Sequence, residues 1–305
     1  MAKQVHDPGT GSFGSNERMM NRDGSFNVKR IGALGPFQDM YHYLVNIPWP
    51  KFLIIVFITY TLLNTLFATI YLACGVENFN GIKPNGTFSD FLNCFFFSAQ
   101  SLTTVGYGNI SPNSHLTQLV ASFEALMGVM SFALITGLFY GRFSKPKARI
   151  AYSNVALISP FKDGKAIMVR LANKRNSVVV NAEVNVLFSK MITRNGNERV
   201  RNYYEMPLQF NDIEVLPLSW TLVHPIDDKS PFKDVTLDQI KNDGGEIFVQ
   251  LKAFDETFNS TVISHYSYTA DEIVENASFE KTFYPEHGQY VLDLNALSNY
   301  RKITP

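Results

Sequence analysis

Cysteine is nearly missing from this chain: the 305 residues hold two, Cys74 and Cys94. Two cysteines make no disulfide framework, and both read as free thiols. Net charge is missing as well, since 27 Lys and Arg balance 27 Asp and Glu, which excludes a strongly basic nucleic-acid binder. There is no GxGxxG dinucleotide fingerprint, no GKS/T phosphate loop, and no HExxH or paired CxxC metal spacing. His224, His265 and His287 stand apart, as core or surface residues do. Chemistry on a substrate has no visible home, so the chain reads as a non-enzyme without a cofactor. An arginine-repeat span is absent too, which excludes a voltage sensor.

Long apolar runs, by contrast, are present twice. Residues 52–73 carry no charge over 22 positions, about 33 Å as a helix and enough to cross a bilayer core. Residues 116–141 are 26 positions long with Glu124 as the only charge. The first run starts after some 50 mostly polar residues, so it is expected to stay in the mature protein rather than act as a cleaved signal peptide. Lys51 precedes the first span, and Arg142, Lys145, Lys147 and Arg149 follow the second, while the loop between holds Lys83 against Glu77 and Asp90. The positive-inside rule then places both termini in the cytoplasm, with Trp49 at the inner interface. An intramembrane carboxyl such as Glu124 is costly unless paired, protonated or facing water.

Between the spans lies Thr104-Val105-Gly106-Tyr107-Gly108. Consecutive carbonyls that all point to one axis need left-handed dihedrals, which Gly106 and Gly108 supply. Val105 and Tyr107 then point outward into supporting protein. Rings of such carbonyls from four chains replace the hydration shell of K⁺. The expected ligands are the carbonyls of Thr104, Val105, Gly106 and Tyr107 with the Thr104 hydroxyl, and one copy per chain implies a homotetramer. Residues 89–102 are too short to cross and rich in phenylalanine, which suits a half-helix that immobilises the loop; residues 88–110 have re-entrant form.

The remaining chain divides as follows. Residues 1–24 are polar and expected to be disordered, and 25–31 form a short strand within a flexible N-terminus spanning 1–35. Residues 36–48 form an interfacial amphipathic helix with Phe37, Met40, Tyr41 and Leu44 on one side. The transmembrane pore domain covers 49–149, with the spans and pore loop, and 150–305 form a cytoplasmic domain. In that last part strands are expected at 166–171, 178–188, 208–215, 218–223, 246–254 and 260–268, with a short helix at 236–242. Their alternation, as in Glu183-Val184-Asn185-Val186, indicates an all-β immunoglobulin-like sandwich.

This order of parts resembles the inward-rectifier potassium channels, and in detail their prokaryotic KirBac branch. The resemblance is carried over residues 25–295 by Phe26-Asn27-Val28, Phe67-Ala68, Tyr71-Leu72-Ala73-Cys74-Gly75, residues 104–108, Arg142-Phe143-Ser144-Lys145-Pro146, Val169-Arg170-Leu171-Ala172-Asn173 and the stretch 218–227 from Leu218-Ser219-Trp220 to Asp227. It implies passive K⁺ conduction, a bacterial inner membrane, and a gate at Tyr140, where four aromatic side chains close the pore. On the same helix Thr136, Ala133 or Phe132, and Val129 recur at cavity-lining intervals. Gly128, Gly137 and Gly141 serve bending or close packing. The resemblance also implies sensitivity to anionic lipid, for which Lys51, Arg142, Lys145, Lys147 and Arg149 are the candidates, and modulation by the cytoplasmic domain. Glu183 matches an acidic position of the cytoplasmic vestibule, where Mg²⁺ or polyamine blockers are candidate partners. Phe132 and Lys252 replace acids at two positions that favour such block, so weak rectification is expected. Gln100 stands where many relatives have a glutamate behind the filter, and Glu124 is expected to support the filter's outer end.

Overall fold

The computed structural model describes residues 2–5, 17–32, 35, 39–146, 148–194 and 198–303. They form two compact units, one of residues 32–145 and one that joins residues 1–31 to 146–305.

In the first unit, α1 (Met40–Asn46) is capped by Asp39, whose side chain accepts from the His42 N–H. Residues 36–38 of the expected interfacial helix lie outside the described residues. Pro48 and Pro50 open α2 (Trp49–Cys74), where a missing N–H is harmless. At 26 residues it is about 39 Å long. Its buried positions include Asn64, Phe67, Ala68 and Tyr71, a single face at three- and four-residue steps. Helix α3 (Thr87–Leu102) and helix α4 (His115–Phe143) follow, the latter opened by a Ser114–Thr117 capping box. Both α2 and α4 are long and apolar enough to cross a membrane. The two-residue strands at Phe79–Asn80 and Ser111–Pro112 pair antiparallel and bracket the re-entrant segment.

In the second unit, β1 (Gln4–Val5), β2 (Glu198–Glu205), β3 (Val179–Arg194), β4 (Glu246–Asp255) and β5 (Ser260–Thr269) form one antiparallel sheet in that order, with β6 (Asp212–Val215) also on β3. A second sheet runs from β7 (Ser219–Pro225) through β8 (Gly164–Asn173) and β9 (Ala156–Phe161) to β10 (Ile273–Glu275), with Ile150–Tyr152 also on β8. Leu171, Leu222, Val184, Phe188, Val249 and Leu251 from the two sheets share one buried core, so the unit is a sandwich. Thr236 and Gln239 cap the short helix Leu237–Asn242 with a capping box. The strands at 150–161 and 198–205 were missed in sequence because Pro160 interrupts the first stretch and charges crowd the second.

The N-terminus departs from expectation. The strand at 25–31 is absent; Phe26 makes one isolated bridge to Met20 around a turn in which the Ser25 N–H donates to Asp23 Oδ1 at 2.9 Å. Such local side-chain capture competes with sheet pairing. Part of the expected disordered segment, 6–16, lies outside the described residues, but 17–22 are pinned. The Met19 and Met20 N–H groups donate to the buried Glu246 carboxylate at 2.8 and 3.2 Å, and Arg18 and Arg22 donate to Glu272 at 3.0 and 2.7 Å. Burial pushes the Glu272 carboxyl up, but the Thr269 N–H and the two arginines outweigh it and hold the group below the ordinary carboxylate range. A carboxyl depressed in the bound state favours binding at every pH above its free value, and that contribution disappears as pH falls through the bound value. Glu272→Gln is therefore expected to speed amide exchange of residues 17–22 about tenfold near neutral pH. Wild type should approach the variant's rates, corrected for intrinsic exchange, on acidification below about pH 4. Unchanged protection in the variant would contradict this.

Candidate functional site

The segment after α3 is built from that helix's last turn. Thr103 caps it, donating its N–H to the Ala99 and Ser101 carbonyls. The Thr104 N–H turns back to Ser101 O at 3.1 Å, and the N–H groups of Val105 and Gly106 both turn back to Gln100 O, at 2.9 and 3.3 Å. Gly106 and Gly108 have φ of +53° and +80°, as the sequence requires. Thr104 adds a third left-handed residue at +60°, which sequence reasoning missed because a β-branched residue rarely adopts it. The signal was the spacing: a backbone of alternating hand needs positions 104, 106 and 108 together. With donors turned toward α3, the carbonyls of 104–108 accept no hydrogen bond among the described residues. Five carbonyls in sequence, unpaired among the described residues, thus follow the C-terminal, partially negative end of α3.

Two contacts fix the ends of this segment. Gly81 has φ of +90°, and a Cβ there would lie 1.9 Å from Asn109 O, so only glycine lets the chain before α3 pass the exit of the segment. Gly128 of α4 lies against Leu102: a Cβ would sit 2.0 Å from Leu102 O. Close packing thus accounts for Gly128, whereas a Cβ at Gly137 would meet nothing within 4 Å. Near Gly141 the hydroxyl of Tyr41 from α1 is 2.8 Å from such a Cβ.

Val129, Phe132, Ala133, Thr136 and Tyr140 share one face of α4, and all are exposed on the single chain. Phe132 and Tyr140 are each 75% exposed. Glu124, on the same helix but another face, is fully buried and accepts hydrogen bonds from Ser98 and Tyr71. Its partners were not foreseen; Asn64 and Tyr71, polar groups two turns apart on one face of α2, were the signal.

The basic residues divide by role. Arg142 donates from Nη1 to the Leu44 carbonyl and from Nη2 to the Ile47 carbonyl at 2.7 Å, at the C-terminal end of α1. Its guanidinium stacks 4.5 Å from the Trp49 ring and 4.4 Å from Phe52. Arg142, expected to meet lipid, thus also joins α1, α2 and α4 through these carbonyl and ring contacts. Lys145 donates to Asn46 Oδ1 at 3.0 Å yet stays exposed, as do Lys51 and Arg149. Lys147 lies outside the described residues.

In the sandwich, Glu183 sits on β3 directly opposite Lys252 of β4 on one side and Asp212 of β6 on the other. With Asp212 and Glu214 it lines a cavity of about 290 Å³. Lys252, the departure noted in sequence, is thus the cross-strand partner of the acid it was expected to accompany. Cys74 and Cys94 are free thiols.

Comparison with known proteins agrees with this geometry. Residues 150–305 match the inward rectifier potassium channel C-terminal domain, and residues 52–145 match the ion channel family. The chain is 34% identical over 283 residues to the inward rectifier potassium channel Kirbac3.1 of Paramagnetospirillum magnetotacticum, across 91% of this chain and 93% of that one. It is 25% identical over 321 residues to the ATP-sensitive inward rectifier potassium channel 15 of Homo sapiens, across 97% and 85% of the two chains. To the G protein-activated inward rectifier potassium channel 1 of Bos taurus it is 27% identical over 300 residues, across 91% and 60%. With a two-helix pore unit, a β-sandwich unit and matches of this extent, the chain belongs to the inward rectifier potassium channel family and is an ion channel, not an enzyme.

Proposed function

We propose that four copies of this chain assemble around one axis and pass K⁺ through a filter made by the carbonyls of Thr104, Val105, Gly106 and Tyr107 and the Thr104 hydroxyl, with Gly108 completing the turn. The observation that carries this reading is the row of unpaired carbonyls held by left-handed residues at 104, 106 and 108. A single chain leaves every residue from 103 to 109 exposed. Unpaired backbone at membrane depth is stable only when protein buries it or it faces a watery path, and a ring of copies supplies both.

Val129, Phe132, Ala133 and Thr136 then line the cavity, and Tyr140 closes it by excluding water. Gly137 is the proposed hinge. With both termini cytoplasmic in a bacterial inner membrane, the domains follow the boundaries at residues 35, 48 and 149. The β-sandwich then lies on the cytoplasmic side and modulates the gate.

Lys51, Lys145 and Arg149 are the proposed contacts for anionic lipid, each worth on the order of 1 kcal/mol near a charged surface. The test is K⁺ flux from liposomes with and without anionic lipid. The reading requires that flux respond to lipid charge and that the response shrink when these three residues are neutralised together. Flux indifferent to both contradicts it.

Glu183 is the proposed vestibule acid. Because Lys252 stands opposite it, the field offered to Mg²⁺ or a polyamine is weak in each copy, and rectification is weak. Lys252→Glu is expected to tighten internal spermine block about tenfold, equivalent to on the order of 1.4 kcal/mol. Voltage ramps on excised patches at fixed spermine measure this, and an unchanged block would remove Glu183 from the vestibule.

A further inference from the structure

Glu124 is the one carboxyl within α2 and α4, and it has no cationic partner among the described residues. Its side chain is fully buried, as are those of Tyr71, Asn64 and Ser98 around it. Ser98 Oγ donates to Glu124 Oε1 at 2.5 Å, and Tyr71 Oη donates to Oε2 at 2.5 Å. Ser98 Oγ also lies 3.0 Å from Asn64 Oδ1, and Asn64 Nδ2 donates to Tyr60 O at 2.7 Å. One side chain of α4 is therefore tied to α3 through a serine and to α2 through a tyrosine. A buried carboxyl without a cation is expensive, and two directed hydroxyls are what keep it in place.

The position of the tie matters more than its strength. Glu124 and Gly128 are one turn apart on α4, and their partners Ser98 and Leu102 are one turn apart on α3. The two contacts run in step along both helices and end where Thr103 leads into the filter. Between them lies Gln100, whose carbonyl receives the N–H groups of Val105 and Gly106. A lateral shift of the last turn of α3 thus moves the filter backbone directly.

We propose that Glu124, acting through Ser98 and Tyr71, is a positioning residue that sets how closely the filter carbonyls of the four copies approach the axis, and so how well the pore rejects cations other than K⁺. This rests on the filter reading of residues 104–108. Loosening the tie widens the ring without dismantling it, so discrimination falls while conduction persists.

The experiment measures bi-ionic reversal potentials of the purified full-length channel in planar bilayers, with tetramer content checked beside each. Ser98→Ala and Tyr71→Phe each remove one hydroxyl and leave the helices intact. Each is expected to raise the Na⁺ to K⁺ permeability ratio about threefold or more, a change that loss of assembly alone cannot produce. Glu124→Ala should raise it further, whereas Glu124→Gln should stay within about twofold of wild type. Glutamine keeps an oxygen for the Tyr71 hydroxyl and offers an N–H to Ser98 Oγ, which releases the Ser98 proton toward Asn64. Unchanged ratios in conducting Ser98→Ala and Tyr71→Phe tetramers would overturn the proposal, as would a Glu124→Gln ratio as poor as that of Glu124→Ala. Gly106→Ala separates the two layers of argument. If it still conducts K⁺ selectively, the filter assignment itself is wrong; if it is silent while the other ratios hold, only the role of Glu124 falls.

Discussion

Replacing Gly106 by alanine should silence the channel and leave it assembled. The φ of +53° at this residue costs an L-amino acid roughly 1–2 kcal/mol, and a tetramer bears that four times. Thr104 already bears φ of +60° beside the helix cap, with its N–H on Ser101 O at 3.1 Å, and the Gly106 N–H lies 3.3 Å from Gln100 O. Alanine at 106 therefore relaxes by rotating its peptide, which turns a carbonyl off the axis. Nothing in its own chain lies within 4 Å of the new Cβ, so folding of the unit is spared. K⁺ flux into liposomes should fall at least about 100-fold, the loss expected when one ring of ligands no longer replaces ion hydration. Size-exclusion and native mass measurements should still report four chains. Flux near wild type would show that residues 104–108 are not the filter.

Tyr140→Ala is expected to have the second-largest effect, in the opposite direction. Tyr140 is 75% exposed on the single chain and lies near the C-terminal end of α4, on the face proposed to line the cavity. Four such rings meeting at an axis leave a constriction too narrow and apolar to stay wet, and hydrophobic constrictions close pores by dewetting. Four methyl groups leave a gap that water fills. Basal open probability should rise about tenfold or more, close to 1.4 kcal/mol of relief from the closed state. Single-channel recording at constant lipid composition reads it directly. A belt tyrosine that faced lipid would leave open probability unchanged, and that outcome would move the gate elsewhere.

The sequence was most legible where chemistry leaves few choices. The two spans and the half-helix between them follow from length and charge alone, because a membrane admits little else. Gly106 and Gly108 announce their dihedrals, whereas Thr104 hides its own, since nothing about a threonine advertises a left-handed backbone. The long strands β3, β4 and β5 were visible by alternation. Those at 150–161 and 198–205 were obscured, because register with a partner strand, rather than their own pattern, keeps them in the sheet.

Tertiary ties were the least legible. Arg142 read as a lipid contact by its place after a span; only the fold reveals the α1 carbonyls that occupy it. Arg18 and Arg22 sit in a polar stretch with the composition of a disordered tail, and two acids more than 220 residues away, Glu246 and Glu272, hold that stretch in place. Glu124 was conspicuous as a charge in a span, but its hydroxyl partners come from two other helices. In each case a buried or crowded charge was the visible half of a pair, and the other half was distant in sequence.

Carbonyls from four copies are proposed to replace the water around K⁺ while leaving Na⁺, a smaller ion that holds its water more tightly, behind. The most direct measurement is the reversal potential of the purified channel with K⁺ on one side of a bilayer and Na⁺ on the other. The account predicts a potential near the K⁺ equilibrium limit, with K⁺ favoured by on the order of 100-fold or more. A reversal potential near zero, with Na⁺ passing as freely as K⁺, would contradict it.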